Sequence, residues 1–359
     1  MANSPTQIAD GGHRMIYTME VLLRNGPKSN TSTCSPKKTH LSSRQVYNND
    51  HQQAQMNARV SVIIPTKGRL KEVVSTLKSL YDQSFLPSEV LVIDGSPHEK
   101  LRAELKWACM PLKGKIDVKY LRSKASLTHQ RNIGIKASIG DIVIFFDDDV
   151  SVDKNYIKEV LEVFSSDPSI GAITGKVNIK YYDIERFYES RIFRSIYEFF
   201  ATAFFLQRRG DGRFLPSGLC TVVRSDERVY VEFLCGNNMA FRRRVFNEFV
   251  FDESLSGGMR GEDEDFAYRL SRKYRIVYTP YANVTHKSVS IAANRYVMRD
   301  RIKNHFYLFK KNMPQRFKNK LAFYLSIVGK LFFEIAIMVA TRRKEGFKGL
   351  VHGIADAIS

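Results

Sequence analysis

The stretch Asp141-Ile-Val-Ile-Phe-Phe-Asp-Asp-Asp-Val150 decides the fold of this chain of 359 residues. Five consecutive apolar residues follow Gly140 and Asp141 and end at three adjacent carboxylates. Such a short run of β-branched and aromatic residues is typical of a buried strand in a parallel sheet. Open α/β sheets bind their ligands at the carboxyl ends of the strands, and the carboxylates stand at that end.

The three carboxylates Asp147, Asp148 and Asp149 predict a bound cation. Adjacent acids repel one another unless a cation, protons or water relieves the repulsion. The cluster also stands out in a chain whose formal net charge is +19. Hard oxygen ligands favour Mg²⁺ or Mn²⁺. A solvated turn that caps the next helix remains the alternative, because Asp is a common N-cap.

Strand and helix patterns alternate on both sides of this stretch. Residues 60–64, 90–93 and 117–121 have the composition of strands, whereas apolar residues recur at helical spacing in 73–81, 128–138 and 156–164. Short joins between them predict an α/β, doubly wound, mainly parallel sheet. We divide the chain into a polar tail at 1–58, predicted to be disordered, an α/β domain at 59–290 and a basic helical extension at 291–359.

Polar side chains at neighbouring strand ends are candidates for binding a ligand beside the acidic cluster. Asp94 follows the second strand, where it can bond a base or ribose or serve only as a turn residue. Arg131 is suited to a phosphate and Asn132 to a hydroxyl or amide, with a surface helix as the alternative. The first strand contributes Pro65, Thr66 and Arg69.

A second acidic cluster, Gly261-Glu-Asp-Glu-Asp-Phe266, begins a predicted helix. Carboxylates suit the positive end of the helix dipole, which alone is a sufficient reason for them. Four in succession exceed what a cap requires, and a carboxylate held in a cleft can act as a general base. Further along, His286 is a candidate third metal ligand, although a lone histidine is often structural.

The C-terminal end combines positive charge with an apolar helix. Residues 295–359 contain 14 Lys and Arg against 4 Asp and Glu, which suits nucleic acid, anionic lipid or a phosphorylated substrate. Residues 321–340 are apolar except for Lys330 and Glu334, which share one helix face with Ser326. We predict an amphipathic helix that lies on a membrane or packs on the domain, because two charges within a span are costly.

Six motifs in order resemble those of the inverting family 2 glycosyltransferases with the GT-A fold. They cover roughly residues 59–290 and read Val60-Ser-Val-Ile-Ile-Pro-Thr-Lys-Gly-Arg69, Val92-Ile-Asp-Gly-Ser96, Arg131-Asn-Ile-Gly134, Phe146-Asp-Asp-Asp149, Cys235-Gly-Asn-Asn-Met-Ala-Phe241 and Gly261-Glu-Asp-Glu-Asp-Phe266. The second departs from the family, which often has two acids where this chain has Asp94-Gly95.

The resemblance implies a Rossmann-like sheet, a nucleotide-diphosphate sugar donor and a glycan or lipid-linked acceptor. Asp147 and Asp149 would hold Mg²⁺ or Mn²⁺, with His286 as the further candidate. Asp263 would be the catalytic base, with Asp265 left open, and Glu262 would orient the acceptor. The donor would be bound by residues from the strand ends and the following helix, namely Pro65, Thr66, Arg69, Asp94, Arg131, Asn132, Asp147 and Asp148.

Three rival classes explain less of the sequence. A nucleotidyltransferase would need a longer, glycine-rich phosphate loop than Pro65-Thr-Lys-Gly-Arg69. A nucleic-acid-binding protein would explain the basic end but not the acidic clusters, so we do not expect nucleic acid as a partner. A processive polysaccharide synthase would need several spanning segments. Four dispersed cysteines without a CxxC pair fit a reducing compartment, and we expect a cytoplasmic enzyme, peripheral on an anionic membrane.

Overall fold

The computed structural model describes residues 58–109, 116–179, 191–207, 210–221, 223, 225–255, 261–286, 295–342 and 344–359. Residues 1–57, which make up nearly all of the tail predicted to be disordered, lie outside this description. So does the first part of an aromatic stretch at 183–206, for which the sequence predicts a helix.

In the described part of the chain nine strands form one mixed sheet in the order β3-β2-β1-β4-β8-β6-β9-β5, and β7 pairs with β9. Strands β3, β2, β1 and β4 are mutually parallel, as predicted, and β6 is parallel to β9. Strand β8 runs antiparallel to both β4 and β6. The bounds are β1 Val60–Thr66, β2 Glu89–Asp94, β3 Asp117–Arg122, β4 Ile142–Phe146, β5 Val150–Val152, β6 Ile170–Ile179, β7 Val229–Val231, β8 Asn238–Arg242 and β9 Arg275–His286.

Helices cover both faces of the sheet, so apolar cores form on each side of it. Helix α3 lies close to β1 because Gly134 has no side chain: a Cβ there would stand 2.5 Å from Cγ2 of Ile63. The bounds are α1 Leu70–Tyr81, α2 Glu99–Ala108, α3 Leu127–Ala137, α4 Tyr156–Ser166, α5 Arg191–Ala203, α6 Glu262–Ser271, α7 Arg295–Asn312, α8 Phe317–Thr341 and α9 Glu345–Ile358, with a 3₁₀ helix at Arg243–Asn247. The predicted α/β fold class with a C-terminal helical region is confirmed.

The C-terminal helices pack against the α/β domain through α7, which contacts α6, and through α8, which contacts α5. Helices α7 and α8 contact each other through the rings of Phe309 and Phe323, which are stacked with centroids 4.2 Å apart. At the start of α6, a Cβ on Gly261 would stand 2.9 Å from Leu308 of α7. The extension therefore rests on the helix that begins with the second acidic cluster.

Candidate active site

The carboxyl ends of β1 and β4 bring the first acidic cluster against two side chains of the opening strand and turn. Thr66 Oγ1 donates a hydrogen bond of 2.6 Å to Asp148 Oδ2. Arg69 places one nitrogen 2.8 Å from Asp148 Oδ1 and another 2.7 Å from Asp149 Oδ2. Burial raises the pKa of Asp148 to about 6, although Thr66 and Arg69 act to lower it.

The pairing of β5 with β9 adds His286 to this cluster. Val150 is the register partner of His286, which places the imidazole Nε2 3.2 Å from Asp149 Oδ1. One ligand atom each from Asp147, Asp149 and His286 lies within 4.8 Å of the others. Arg69 binds the other oxygen of Asp149, Oδ2, and Oδ1 faces the histidine. Two carboxylate oxygens and an imidazole nitrogen are a donor set that suits Mn²⁺ or Mg²⁺, with an imidazole favouring the transition metal.

Arg131 stands between the two acidic clusters. Its side chain is 1% exposed, and NH1 donates to Glu262 Oε1 at 3.0 Å. NH2 donates to the carbonyl oxygen of Gly236 at 3.1 Å and lies 3.9 Å from Asp147 Oδ1. One buried guanidinium therefore faces both clusters, although they are more than a hundred residues apart in sequence.

The two candidate bases at the start of α6, Asp263 and Asp265, lie in different environments. Asp263 is half-buried and accepts hydrogen bonds from the backbone N–H groups of Gly236 and Glu264, at 3.0 and 2.9 Å. Asp265 is fully buried and is held by Arg269 on its own helix and by α7. Asp263 thus remains within reach of a ligand, whereas the Asp265 carboxylate serves to join helices.

Glu262 has an unusual electrostatic environment. Burial raises its pKa, the neighbouring Asp263 raises it further, and Arg131 acts in the opposite direction. The guanidinium is therefore the charge that favours the ionised form of this buried carboxyl.

Two predicted ligand-binding residues use their polar atoms within the protein. The buried Asp94 carboxylate accepts hydrogen bonds from the Ser96 backbone N–H and the Tyr120 hydroxyl, both at 2.8 Å. The Asn132 amide donates to the carbonyl oxygen of Phe251 at 2.9 Å and accepts from its N–H at 3.0 Å. These bonds fix the loops around the site, and contacts of either residue with a nucleotide remain predictions.

Several residues that position the site are not predicted by the sequence. Gln130 donates to the carbonyl oxygens of Thr66 and Ile93, at 2.8 and 2.7 Å, and so ties the ends of β1 and β2 together beside the buried Pro65. Lys311 and Asn312 of α7 contact Asp265. In the sequence, the one sign of Gln130 is its position next to Arg131 and Asn132. No feature of the basic α7 sequence distinguishes Lys311 and Asn312 from their neighbours.

Comparison with known proteins identifies the class. The model of the family described as Glycosyl transferase family 2 matches residues 61–249, which is more than half of the chain. The chain belongs to this family and is a glycosyltransferase, which confirms the resemblance drawn from the motifs.

Individual relatives agree with this assignment. Glucosyl-dolichyl phosphate glucuronosyltransferase of Haloferax volcanii is 24% identical over 249 residues, which cover 64% of this chain and 69% of that protein. Chondroitin synthase of Escherichia coli is 23% identical over 226 residues, 60% of this chain but only 32% of that protein.

Solved structures confirm the GT-A fold. A mannosyltransferase from Pyrobaculum calidifontis, in complex with GDP-Man and Mn²⁺, superposes with a TM-score of 0.52 at 15% identity, over 84% of this chain and 87% of that one. GalNAc-T7 with UDP, GalNAc and Mn²⁺ gives a TM-score of 0.55 at 17% identity, over 84% and 57% of the two chains.

Proposed function

We propose that this glycosyltransferase is metal-dependent and inverting, and that it moves a sugar from a nucleotide-diphosphate sugar to a hydroxyl of a glycan or lipid-linked acceptor. The observation that carries the proposal is the position of Arg131, 3.0 Å from Glu262 and 3.9 Å from Asp147. The same guanidinium thus faces a cluster suited to a metal and a cluster suited to a base, which supports the proposal.

The donor diphosphate would lie at the carboxyl ends of β1 and β4. Asp147, Asp149 and His286 would hold Mn²⁺ or Mg²⁺, which when bound supplies positive charge to the departing diphosphate. Two structural neighbours were solved with Mn²⁺ and a nucleotide or nucleotide sugar, in support of this proposal. In this chain Thr66 and Arg69 bind both oxygens of Asp148 and Oδ2 of Asp149, which leaves Asp149 Oδ1 beside His286, where the metal would bind.

Asp263 would act as the catalytic base. As the acceptor oxygen forms its bond to the anomeric carbon, the bond from that carbon to the diphosphate oxygen breaks, and the acceptor proton passes to Asp263. A single displacement of this kind inverts the anomeric configuration. Glu262, paired with Arg131, would orient the acceptor, and holding both reactants together removes much of the entropic barrier.

A lipid-linked acceptor fits the charge of the C-terminal region, whose excess of basic residues would place the enzyme on the cytoplasmic face of an anionic membrane. The name of the Haloferax volcanii relative refers to a sugar on dolichyl phosphate, which supports the same class of acceptor.

The test combines nucleotide binding with turnover in two variants of α6. First, thermal stabilisation by a panel of nucleotides with and without Mn²⁺ identifies the donor nucleotide in the wild-type protein. Asp263→Asn should then lower kcat by about 10²–10⁴, the range for loss of a general base, while the nucleotide still stabilises the protein. Glu264→Gln is the matched control and should keep wild-type turnover. Near-normal turnover of Asp263→Asn would contradict the assignment of the base.

A further inference from the structure

Helix α8 buries its central polar residues together with Phe323 and Ile327, whereas its outward face is apolar. Ser326 and Glu334 are buried, and Lys330 donates a hydrogen bond of 3.0 Å to Nδ1 of His305 on α7. The opposite face forms an apolar stripe whose members are 40–81% exposed: Phe317, Leu321, Tyr324, Val328, Phe332, Ile335 and Val339. On water-soluble domains the solvent-facing side of a helix is normally polar. A continuous apolar face on the outside of α8 therefore indicates that this face contacts something other than water.

The stripe continues onto helix α5. Tyr197 packs on Phe333 with ring centroids 5.0 Å apart, and Phe200 packs on Phe332 at 5.5 Å. Two further α5 side chains extend the exposed apolar surface beside α8, namely Ile196 and Phe199. The surface is therefore built by two packed helices and is wider than a single row of side chains.

Exposed basic side chains flank the stripe at both ends of α8. Arg316, Lys318 and Lys320 stand at its start, and Arg342, Lys344 and Lys348 follow its end. The one acidic residue of α8, Glu334, is buried. Glu345, an exposed acid in this border, pairs with Lys348 at 3.2 Å, so the cations remain in excess. An apolar face with such a border complements the surface of an anionic bilayer.

The packing of α8 distinguishes a helix that lies in the interface from one that spans the bilayer. Residues Phe317–Val339 are long and apolar enough to cross a membrane. However, α8 packs on α7 through the rings of Phe323 and Phe309, and Arg299 of α7 forms an ion pair with Asp356 of α9. A spanning α8 would carry these charged helices into hydrocarbon, which is strongly unfavourable. Lying flat, α8 immerses only the stripe along its length of about 38 Å.

We propose that the stripe, with Ile196 and Phe199, is a membrane-docking surface that inserts into the headgroup region of an anionic bilayer. Helix α7 lies between α8 and α6: it contacts α8 through Phe309 against Phe323, and α6, which carries Asp263, through Leu308 against Gly261. The candidate base is thus separated from the lipid by α7 and α8. The inference rests on the proposed membrane location but does not depend on the transfer chemistry.

Vesicle binding by the full-length protein tests the surface. We expect co-sedimentation with phosphatidylcholine vesicles that contain phosphatidylglycerol, and at least about tenfold weaker binding without the anionic lipid. The triple variant Leu321→Gln, Val328→Gln, Ile335→Gln should bind the anionic vesicles at least about tenfold more weakly than the wild type. The control variant Ile139→Gln, Val250→Gln changes equally exposed apolar residues elsewhere and should bind normally.

The single tryptophan allows a measurement of insertion. Trp107 is on α2, which packs on α1, and is 74% exposed. Brominated lipids should leave Trp107 fluorescence unchanged in the wild type, but should quench the indole introduced by Val328→Trp in a Trp107→Phe background. Absence of quenching at position 328 would overturn the proposal.

Nucleotide binding is measured on the same samples so that the two proposals fail separately. The triple variant should keep wild-type stabilisation by the donor nucleotide with Mn²⁺. Vesicle binding without nucleotide binding in the wild type would support the surface and reject the transfer proposal, whereas the opposite result would reject the surface. If the triple variant instead converts a dimer to a monomer and vesicle binding is unchanged, the stripe is a contact between copies and the proposal is wrong.

Discussion

Replacing Arg131 by methionine tests whether one guanidinium stabilises both acidic clusters. The substitution keeps much of the aliphatic volume but removes the charge from Glu262 and Asp147. Removing one partner of a buried ion pair costs about 3–5 kcal/mol, because the other carboxylate is left without compensation. For an α/β domain of this size the loss corresponds to a fall in Tm of about 6–20 °C, at about 2–4 °C per kcal/mol.

The effect should depend on pH in a defined direction. Without Arg131, the pKa of the buried Glu262 rises further above its unfolded value of about 4.3, because burial and Asp263 already raise it. A carboxyl with a raised pKa in the folded state destabilises the protein above the unfolded pKa, and the penalty disappears as pH falls toward that value. The deficit of the variant should therefore be largest at about pH 8 and smaller at about pH 5.

Urea denaturation and thermal melts in metal-free buffer provide the measurement. Arg59→Met is the matched control, since Arg59 pairs with Asp141 at 3.4 Å while both side chains are more than half exposed. Such a pair contributes about 0–1 kcal/mol. If Arg131→Met is as stable as Arg59→Met at high pH, or if its deficit is the same at both pH values, the reasoning about the shared guanidinium is wrong.

Two further predictions concern the loop beside Asp263 and the metal. A Cβ on Gly236 would stand 3.1 Å from Asp263 Oδ2 and 3.4 Å from a nitrogen of Arg131, so Gly236→Ala should lower kcat at least about tenfold while costing under about 1 kcal/mol of stability. Unchanged kcat in steady-state assays would count against Asp263 as the base. Mn²⁺ at a hundred times its Kd should stabilise the wild type by about 2.7 kcal/mol in thermal-shift titrations. His286→Ala should lose most of this stabilisation, whereas the exposed-site control His98→Ala should keep it; equal stabilisation of the two would show that His286 is not a ligand.

The framework of the site follows from local sequence. The apolar run before Asp147 forms β4, and the helical spacing and strand composition elsewhere place the other central elements within three residues of their observed bounds. These features are readable because burial on a sheet or helix face imposes a short period on apolar residues. The acidic start of α6 is readable for a similar reason, since the helix dipole favours carboxylates there.

Tertiary structure alone decided how individual polar groups are used. Asp263 and Asp265 are equivalent candidates in the sequence, and they differ because α7 brings Lys311 and Asn312 against only the second of them. Asn132 and Phe251 are likewise joined across 119 positions of the chain. Hydrogen bonds between such distant residues leave no local period, so no pattern in the sequence reports them.

Helix α8 illustrates both contributions, that of the sequence and that of tertiary packing. Its sequence by itself determined that Ser326, Lys330 and Glu334 share a face and that the apolar residues occupy the remainder. Only the packing of α7 decided that the polar face is the one turned inward, because His305 is there to accept a hydrogen bond from Lys330. Helical periodicity fixes which residues lie together on a face, but the side on which that face is buried depends on the partner that the rest of the chain supplies.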